Sequence, residues 1–403
     1  MLNAATLDFI HQHLEADVRR LALQGGRDPE VDLPLALEQI AGWQKARIKI
    51  PSWAAIDGIL YPPHLSIEQC SSERTARYKA EIAGRGDFFV DLTAGFGVDA
   101  AFIAQGFQKA VAVELQAELC AISSENFRLL GLHQIEVVND NGVDYLHRMA
   151  PADLVFIDPA RRDEHGGRTY GIADCTPNVL DFIDELLEKA QRVMIKLSPM
   201  LDWRKAVEDI GRQYVSAVHI VSVANECKEM LVILGGGQTD EICVVCVNLL
   251  SNGEREVFVQ TLCLERGIRP PRPDGHPSYS GGERGYLFEP NASVMKAGSF
   301  EEIVARFPVT QLHQNSHLIV SDKEVPDFPG RGFVIERITS MNKRELKESL
   351  ADITQANIAV RNFPMSAEEL RRRLKLRDGG DIYIFATTVE NAGHRLLICR
   401  KIS

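Results

Sequence analysis

The sequence predicts an α/β protein: a doubly wound, seven-stranded and mostly parallel sheet in the middle of the chain. A helical region precedes the sheet and an α+β region follows it. Three observations carry this prediction. Short apolar runs (FFVDLTAG, AVAVEL, IEVVN, LVFIDP, RVMIKLSP, VHIVSVA and MLVILGG) recur from Phe88 to Leu234 and just beyond, each with the length of a strand buried on both faces. Helix-compatible segments separate the first six, as parallel strands with crossover helices require. Only NECKE joins the last two, which is too short for a crossover and predicts an antiparallel hairpin at one edge.

The flanking elements follow from periodicity and punctuation. Before the sheet, LALEQIAGWQKARIKI has apolar residues near helical spacing and ends at Pro51. LSIEQCSSERTARYKAEIAG reads as another helix, with Ser71, Ser72 and Glu73 near its start and Gly84 and Gly86 closing it. After the sheet, ICVVCVNLL and REVFVQTLCLE read as a strand pair across a Ser-Asn-Gly turn, and GIRPPRPDGHPSYSGGERG reads as a linker or exposed loop. A helix pattern (SVMKAGSFEEIVARF), two strands (HLIVSD, GFVIERI), two helices (NKRELKESLADITQ, SAEELRRRLKL) and two terminal strands (DIYIFATTV, HRLLICRKI) complete the chain. The expected division is residues 1–80, helical; 81–236, the sheet domain; 237–325, a linker and a small ferredoxin-like α+β unit; and 326–403, a terminal α+β domain.

Composition narrows the class. The 403 residues are 45% hydrophobic and 25% charged, as in a globular protein with a sizeable core. No apolar run approaches the ~20 residues of a membrane helix, and acidic residues stand where a signal peptide would be apolar, so a cytoplasmic protein is expected. The eight cysteines are scattered and form no disulfide framework. Cys243 and Cys246 make a CxxC inside a strand-like run, where residues three apart face opposite ways. Two buried structural cysteines are therefore expected there, and no metal. Net charge is −11, but Lys323–Ser403 holds 15 Lys/Arg against 11 Asp/Glu, a net of +4. Residues 1–322 therefore carry −15. A mildly basic tail on an acidic body suggests an electrostatic partner at that end.

The chemistry begins at Asp91-Leu-Thr-Ala-Gly95-Phe-Gly97-Val-Asp99. A strand ends in an acid, a glycine turn lets backbone approach a ligand, and a helix opens with free N–H groups. A dinucleotide site would have GxGxxG around a pyrophosphate. Here Asp99 follows, a poor neighbour for a pyrophosphate, so the acidic turn suits a cationic ligand such as the ammonium and sulfonium of S-adenosylmethionine. Glu114 ends the next strand, placed to accept both hydroxyls of a ribose. LVFIDPARRD ends the fourth strand at Asp158-Pro159-Ala160-Arg161, beside the reactive end of such a cofactor. Asp158 could orient or deprotonate a nucleophile there.

These blocks resemble class I methyltransferases over roughly residues 65–235, a Rossmann-like seven-stranded methyltransferase core. In that resemblance Asp91, Thr93, Ala94, Gly95 and Gly97 form the cofactor turn, Glu114 ends strand two, and DPAR is the motif at strand four. The likeness is greatest to the nucleic-acid-modifying branch. It implies that Asp140, in VVNDNGVDYL, contacts the adenine and that the EQCSSERTARYK helix closes over the cofactor. The whole chain resembles a bacterial family with a THUMP-like C-terminal domain, through IPSW, EQCSSE, DLTAGFGVD, DPARR, ANECKE, GYLFEPNASVMKAG, NSHLIVSD and LKLRDGGDIYIFATT. THUMP-type modules bind RNA, so the resemblance implies an RNA substrate, in tRNA or rRNA.

Departures from the pattern are informative. Ala160 and Arg161 replace the second proline and the aromatic that exocyclic-amine enzymes use. Lys196-Leu-Ser198-Pro199 stands where C5 enzymes carry a nucleophilic cysteine, which excludes a covalent mechanism through that position; Cys227 is the one cysteine near the strand ends that could substitute. The candidate catalytic set is Asp158, Pro159 and Arg161. Arg162, Lys196 and the run Arg371, Arg372 and Arg373 are candidate substrate clamps, although the run also reads as the solvated face of a helix. Lys45, Arg47 and Lys49 form a smaller basic cluster with the same two readings. His313 and His317 have zinc-helix spacing without the glutamate base or a third ligand, and read as core or loop residues. A small-molecule or protein methyltransferase with the C-terminal module as lid or dimerisation element remains open, as does a nucleotide-binding oxidoreductase on a similar sheet.

Overall fold

A computed structural model describes residues 3–24, 28–161, 171–235, 237, 240–263 and 285–402. The chain divides into two compact units, Met1–Val218 with Glu229–Thr239, and His219–Lys228 with Asp240–Ser403.

In the first unit the strands are β1 (Gly86–Asp91), β2 (Phe107–Glu114), β3 (Ile135–Asn139), β4 (Ala152–Ile157), β5 (Ala190–Leu197), β6 (Val215–Val223) and β7 (Glu226–Gly235). They run in the order β3-β2-β1-β4-β5-β7-β6. The first five are parallel, and β7 is antiparallel to β5 with Lys196 opposite Leu231. The seven strands and the hairpin of β6 and β7 are as expected, but the hairpin is not at an edge, since the sheet has nine strands. Parallel strands must be covered on both faces, and the burial agrees: Phe89, Val111, Val155, Val193 and Ile195 are fully enclosed or nearly so. The order reverses between β1 and β4, the position where open α/β sheets bind ligands beyond their strand ends.

The N-terminal helices are α1 (Ala4–His13), α2 (Val18–Gln24), α3 (Leu33–Lys49), α4 (Pro51–Ala54), α5 (His64–Gln69) and α6 (Glu73–Ala83). Asn3 caps α1, Asp32 caps α3 and Ser72 caps α6 through side-chain oxygens that accept backbone N–H groups. Pro51 ends α3 and starts α4, because proline is tolerated in a first helical turn. The crossover helices include α7 (Val98–Ile103), α8 (Ala117–Leu129) and α9 (Gly142–Arg148). Gly142 opens α9 against the backbone after β1: a Cβ there would lie 2.1 Å from the Leu92 carbonyl oxygen.

In the second unit, β8 (Glu241–Leu249) and β9 (Arg255–Cys263) form the expected antiparallel pair. A further sheet contains β10 (Gly285–Pro290), β11 (Thr310–Gln311), β12 (Ile319–Ser321), β13 (Gly330–Thr339), β14 (Asn357–Arg361), β15 (Ile382–Val389) and β16 (Gly393–Lys401), in the order β11-β12-β10-β13-β16-β15-β14. Leu287, Phe333, Phe385 and Leu397 are at its centre. The expected helix over SVMKAGSFEEIVARF is two helices, Ala292–Ala297 and Phe300–Arg306, split where Gly298 takes a left-handed φ of 70°. The NIAVR strand β14 was not anticipated; it pairs in parallel with β15. Cys246 is buried but Cys243 is only half-buried, on the opposite face of β8, which corrects the expectation of two buried thiols. The Pro/Gly-rich linker falls outside the described residues.

Gly142→Ala is expected to lower the unfolding free energy by about 1–3 kcal/mol, because the added methyl meets backbone rather than a movable side chain. Urea denaturation tests this, and a midpoint equal to the parent's would contradict the close contact.

Candidate active site

The carboxyl ends of β1, β2 and β4 are tied together by their own backbone. Leu92 N–H donates to the Phe156 carbonyl at 3.0 Å, Ala94 N–H to Val113 at 2.9 Å and Asp140 N–H to Glu114 at 3.1 Å. Thr93 adds a side-chain link, since its Oγ1 accepts the Asp158 N–H at 2.7 Å. The turn at Gly95 and Gly97 takes φ of 56° and 83°, a region that favours glycine. A Cβ on Gly95 would meet nothing within 4 Å, whereas one on Gly97 would strike the Phe127 ring at 2.6 Å. One face of the turn is therefore open and the other is packed.

Glu114 helps to shape this turn. Its Oε2 accepts the Gly95 N–H and its Oε1 the Gln116 N–H, both at 2.8 Å. A carboxylate has about four lone-pair sites, so it retains capacity for ribose hydroxyls. Asp140 accepts the Asn141 N–H and is paired with Arg148, which holds its carboxyl below the usual range.

Behind the turn lies a chain of charges, buried except at its Asp158 end. Asp99 is engaged by the Ser71 hydroxyl at 2.6 Å, Lys79 Nζ at 3.2 Å and Lys196 Nζ at 3.8 Å. Lys79 is fully buried and also donates to both Glu229 oxygens at 2.7 Å. Lys196 donates to Asp158 Oδ2. The order is Glu229, Lys79, Asp99, Lys196 and Asp158, alternating in sign. Burial raises the carboxyl of Asp99, but the two lysines and Ser71 outweigh it and hold it low. Burial lowers Lys196, yet Asp158 and Asp99 outweigh it and keep its ammonium charged.

Asp91 has no such partner. It is 1% exposed; its Oδ1 accepts the Thr93 N–H at 2.9 Å, and its Oδ2 is buried with no hydrogen bond. Burial, then the like charges of Asp99 and Asp158, push its carboxyl well above the usual range. The acid that stands ready for a cation is therefore Asp91, while Asp99 is already neutralised by the protein's own lysines. Asp91 is thus a buried acid with no lysine hydrogen-bonded to it among the described residues, placed to receive the ammonium of S-adenosylmethionine, so the residues present fit that cofactor.

The structure brings Asp91, Thr93, Ala94, Gly95, Gly97, Glu114, Asp140, Asp158, Pro159 and Lys196 to the strand ends of one sheet. At Ala160 and Arg161 the backbone is extended and pairs with Thr176 and Cys175. The Arg161 side chain and all of Arg162 lie outside the described residues. Arg371, Arg372 and Arg373 are on the helix Ala367–Leu374 of the second unit, with Arg371 paired to Asp378 and the other two exposed. Lys45 pairs with Glu68 and Arg47 with Glu15, and Lys49 donates to the Ile67 carbonyl at 3.0 Å, so that cluster is largely committed within the fold. His313 and His317 are in a turn region rather than a helix, and among the described residues no metal-holding group of three His, Cys, Asp or Glu forms. No helix among them is long and apolar enough to cross a membrane.

Sequence reasoning missed Ser71, Lys79 and Glu229 as parts of the site. It also missed Cys70, which Asp99 and Lys196 influence; burial pushes that thiol up to about 11, so it is no thiolate nucleophile at neutral pH.

Known proteins extend the picture. A family described as THUMP domain-like matches residues 330–401, and one described as a ferredoxin-like domain matches residues 286–329. The crystal structure of a protein from Porphyromonas gingivalis W83 assigned as a methyltransferase is similar over 100% of both chains, with a TM-score of 0.84 and 30% identity. Mycobacterium tuberculosis strains CDC 1551 / Oshkosh and ATCC 25618 / H37Rv each have an uncharacterized S-adenosylmethionine-dependent methyltransferase 26% identical over 329 residues. The match spans 80% of this chain and 83% of theirs.

Burial raises the Asp91 carboxyl, and an arriving ammonium favours its ionised form and so lowers it again. Binding of S-adenosylhomocysteine is therefore expected to release a proton and to tighten as pH rises toward the raised Asp91 value. Titration calorimetry in buffers of different ionisation enthalpy measures this. Asp91→Asn should abolish the proton release and weaken binding roughly tenfold or more; proton uptake by the parent protein would exclude this role.

Proposed function

The chain belongs to the family of S-adenosylmethionine-dependent methyltransferases with a THUMP-like C-terminal domain, and from that membership we propose that it methylates RNA, in tRNA or rRNA, by direct transfer to a nucleobase or ribose atom. The THUMP domain-like match over residues 330–401 is the observation that carries the RNA reading. Exposed Arg372 and Arg373 support it as cations available to a phosphate backbone.

In the bound state, S-adenosylmethionine supplies a methyl group already activated on a sulfonium, so the residues have mainly to position the partners. Asp91 receives the ammonium, the open face of the Gly95 turn lies along the methionine part, Glu114 accepts the ribose hydroxyls and Asp140 meets the adenine edge. Asp158 faces the nucleophile. Its Oδ2 is taken by Lys196, and Oδ1 can accept a hydrogen bond from a substrate N–H or O–H. With one oxygen held by Lys196, Asp158 is placed to orient a nitrogen or oxygen through the other. Ser198 and Pro199 follow β5 without a cysteine, so no covalent enzyme–base bond is needed or available there. The backbone of Pro159 and Arg161 continues the substrate side, with Arg162 and Lys196 as clamps.

Mass spectrometry of nucleosides in total RNA from cells with and without the protein should show one methylated nucleoside missing in its absence. An unchanged nucleoside profile would count against RNA as substrate. Arg372→Glu with Arg373→Glu should weaken retention on RNA and flatten its salt dependence; retention indifferent to salt would favour a small-molecule or protein substrate.

A further inference from the structure

We propose that Lys79 is a positioning residue for cofactor binding, acting with Ser71 and Glu229 through Asp99, and that the N-terminal helical region is thereby part of the cofactor site. The inference rests on two separate holds that this region has on the Gly95–Asp99 turn. One is apolar: Trp53 of α4 packs edge-on against Phe96, between the two turn glycines, with ring centroids 5.1 Å apart. The other is ionic: Ser71 and Lys79 take the carboxylate of Asp99, in the first turn of α7.

Lys79 is poorly suited to a purely structural role. It is 0% exposed, and Glu229 is 3% exposed. A buried ion pair of this kind is often no more stabilising than apolar residues of the same volume. What the pair does provide is geometry. Lys79 Nζ reaches both Glu229 oxygens at 2.7 Å, Ser71 Oγ at 3.0 Å and Asp99 Oδ1 at 3.2 Å. It thereby joins α6, β7 and α7 at one atom. Without it, Asp99 would depend on Lys196 alone, now 3.8 Å away. Lys196 would be drawn from Asp158, and the turn that faces the cofactor would lose its anchor. Ser71 reinforces the arrangement by donating to Asp99 while accepting from Lys79.

The double variant Lys79→Met with Glu229→Gln separates positioning from charge. It removes one cation and one anion, so the net charge around Asp91 is unchanged and the electrostatic pull on a cationic ligand is nearly constant. Both partners of the Lys79–Glu229 pair leave together, and Asp99 keeps Ser71 and Lys196 as its partners. Calorimetric titration with S-adenosylhomocysteine should show affinity reduced roughly tenfold, within the range of coupling between contacting residues. The thermal midpoint of the ligand-free protein should remain near that of the parent. A folded double variant that binds within twofold of the parent would overturn the proposal, as would a fall in thermal midpoint with no change in affinity. Should the double variant not fold, Ser71→Ala keeps every charge and removes only the hydroxyl. It should weaken S-adenosylhomocysteine severalfold without lowering the midpoint, and unchanged binding in it would overturn the proposal equally.

Discussion

The burial of Asp99 beneath the glycine turn is the constraint on which the rest of the site depends. A carboxylate removed from water must be compensated by cations and hydrogen bonds, or it will be protonated. The fold meets this need from two directions, with Lys79 from the helix before the sheet and Lys196 from β5. Each lysine then requires a second acid, which brings in Glu229 on one side and Asp158 on the other. Removing one partner from the buried Glu229, Lys79 and Asp99 part costs about 3–5 kcal/mol, while the half-exposed Asp158 contributes less. Asp91 is the acid left over: burial, then the like charges of Asp99 and Asp158, raise its carboxyl.

Much of this could be read from the residues because the sheet is buried on both faces. Parallel strands flanked by helices appear as short apolar runs with a chemical residue at their carboxyl ends, which is how Asp91, Glu114 and Asp158 stand out. The hairpin of β6 and β7 was legible for a different reason: a link as short as NECKE leaves the chain no room for a crossover. Gly298 marks the opposite outcome. The amphipathic pattern from Ser293 to Phe307 runs through it, yet its left-handed backbone ends one helix and starts another.

The interior of the site was less legible. Lys79 and Glu229 are 150 positions apart, and no local spacing joins them. Two weak signals existed. Lys79 lies on the stripe of α6 shared by Thr75, Ala76 and Ala83, all buried, where an unpaired lysine would be costly. Glu229 directly precedes the apolar run Met230–Leu234. Each is a charge on a face that should be apolar, and two such residues of opposite sign are candidates for each other. The same reasoning explains why Asp99 was read as facing a ligand: from sequence alone, an acid after a glycine turn looks free, and only tertiary contacts reveal that its charge is spent within the protein.

The charge distribution now has a physical rationale. A cationic cofactor and a polyanionic substrate cannot both be drawn to a single uniform field. Residues 1–322 carry −15 and hold Asp91, a buried acid without a lysine of its own, which favours a ligand bearing an ammonium. Residues 323–403 carry +4, and the matched THUMP-like segment falls within them. The acidic body repels phosphate groups at long range, so on the proposed RNA reading the attraction would come from the C-terminal cations. Lys196 lies at the strand ends, but Asp158 and Asp99 both claim it. It can steady a nucleophile through Asp158, and on the proposed reading this separation would let one chain accept two ligands of opposite charge.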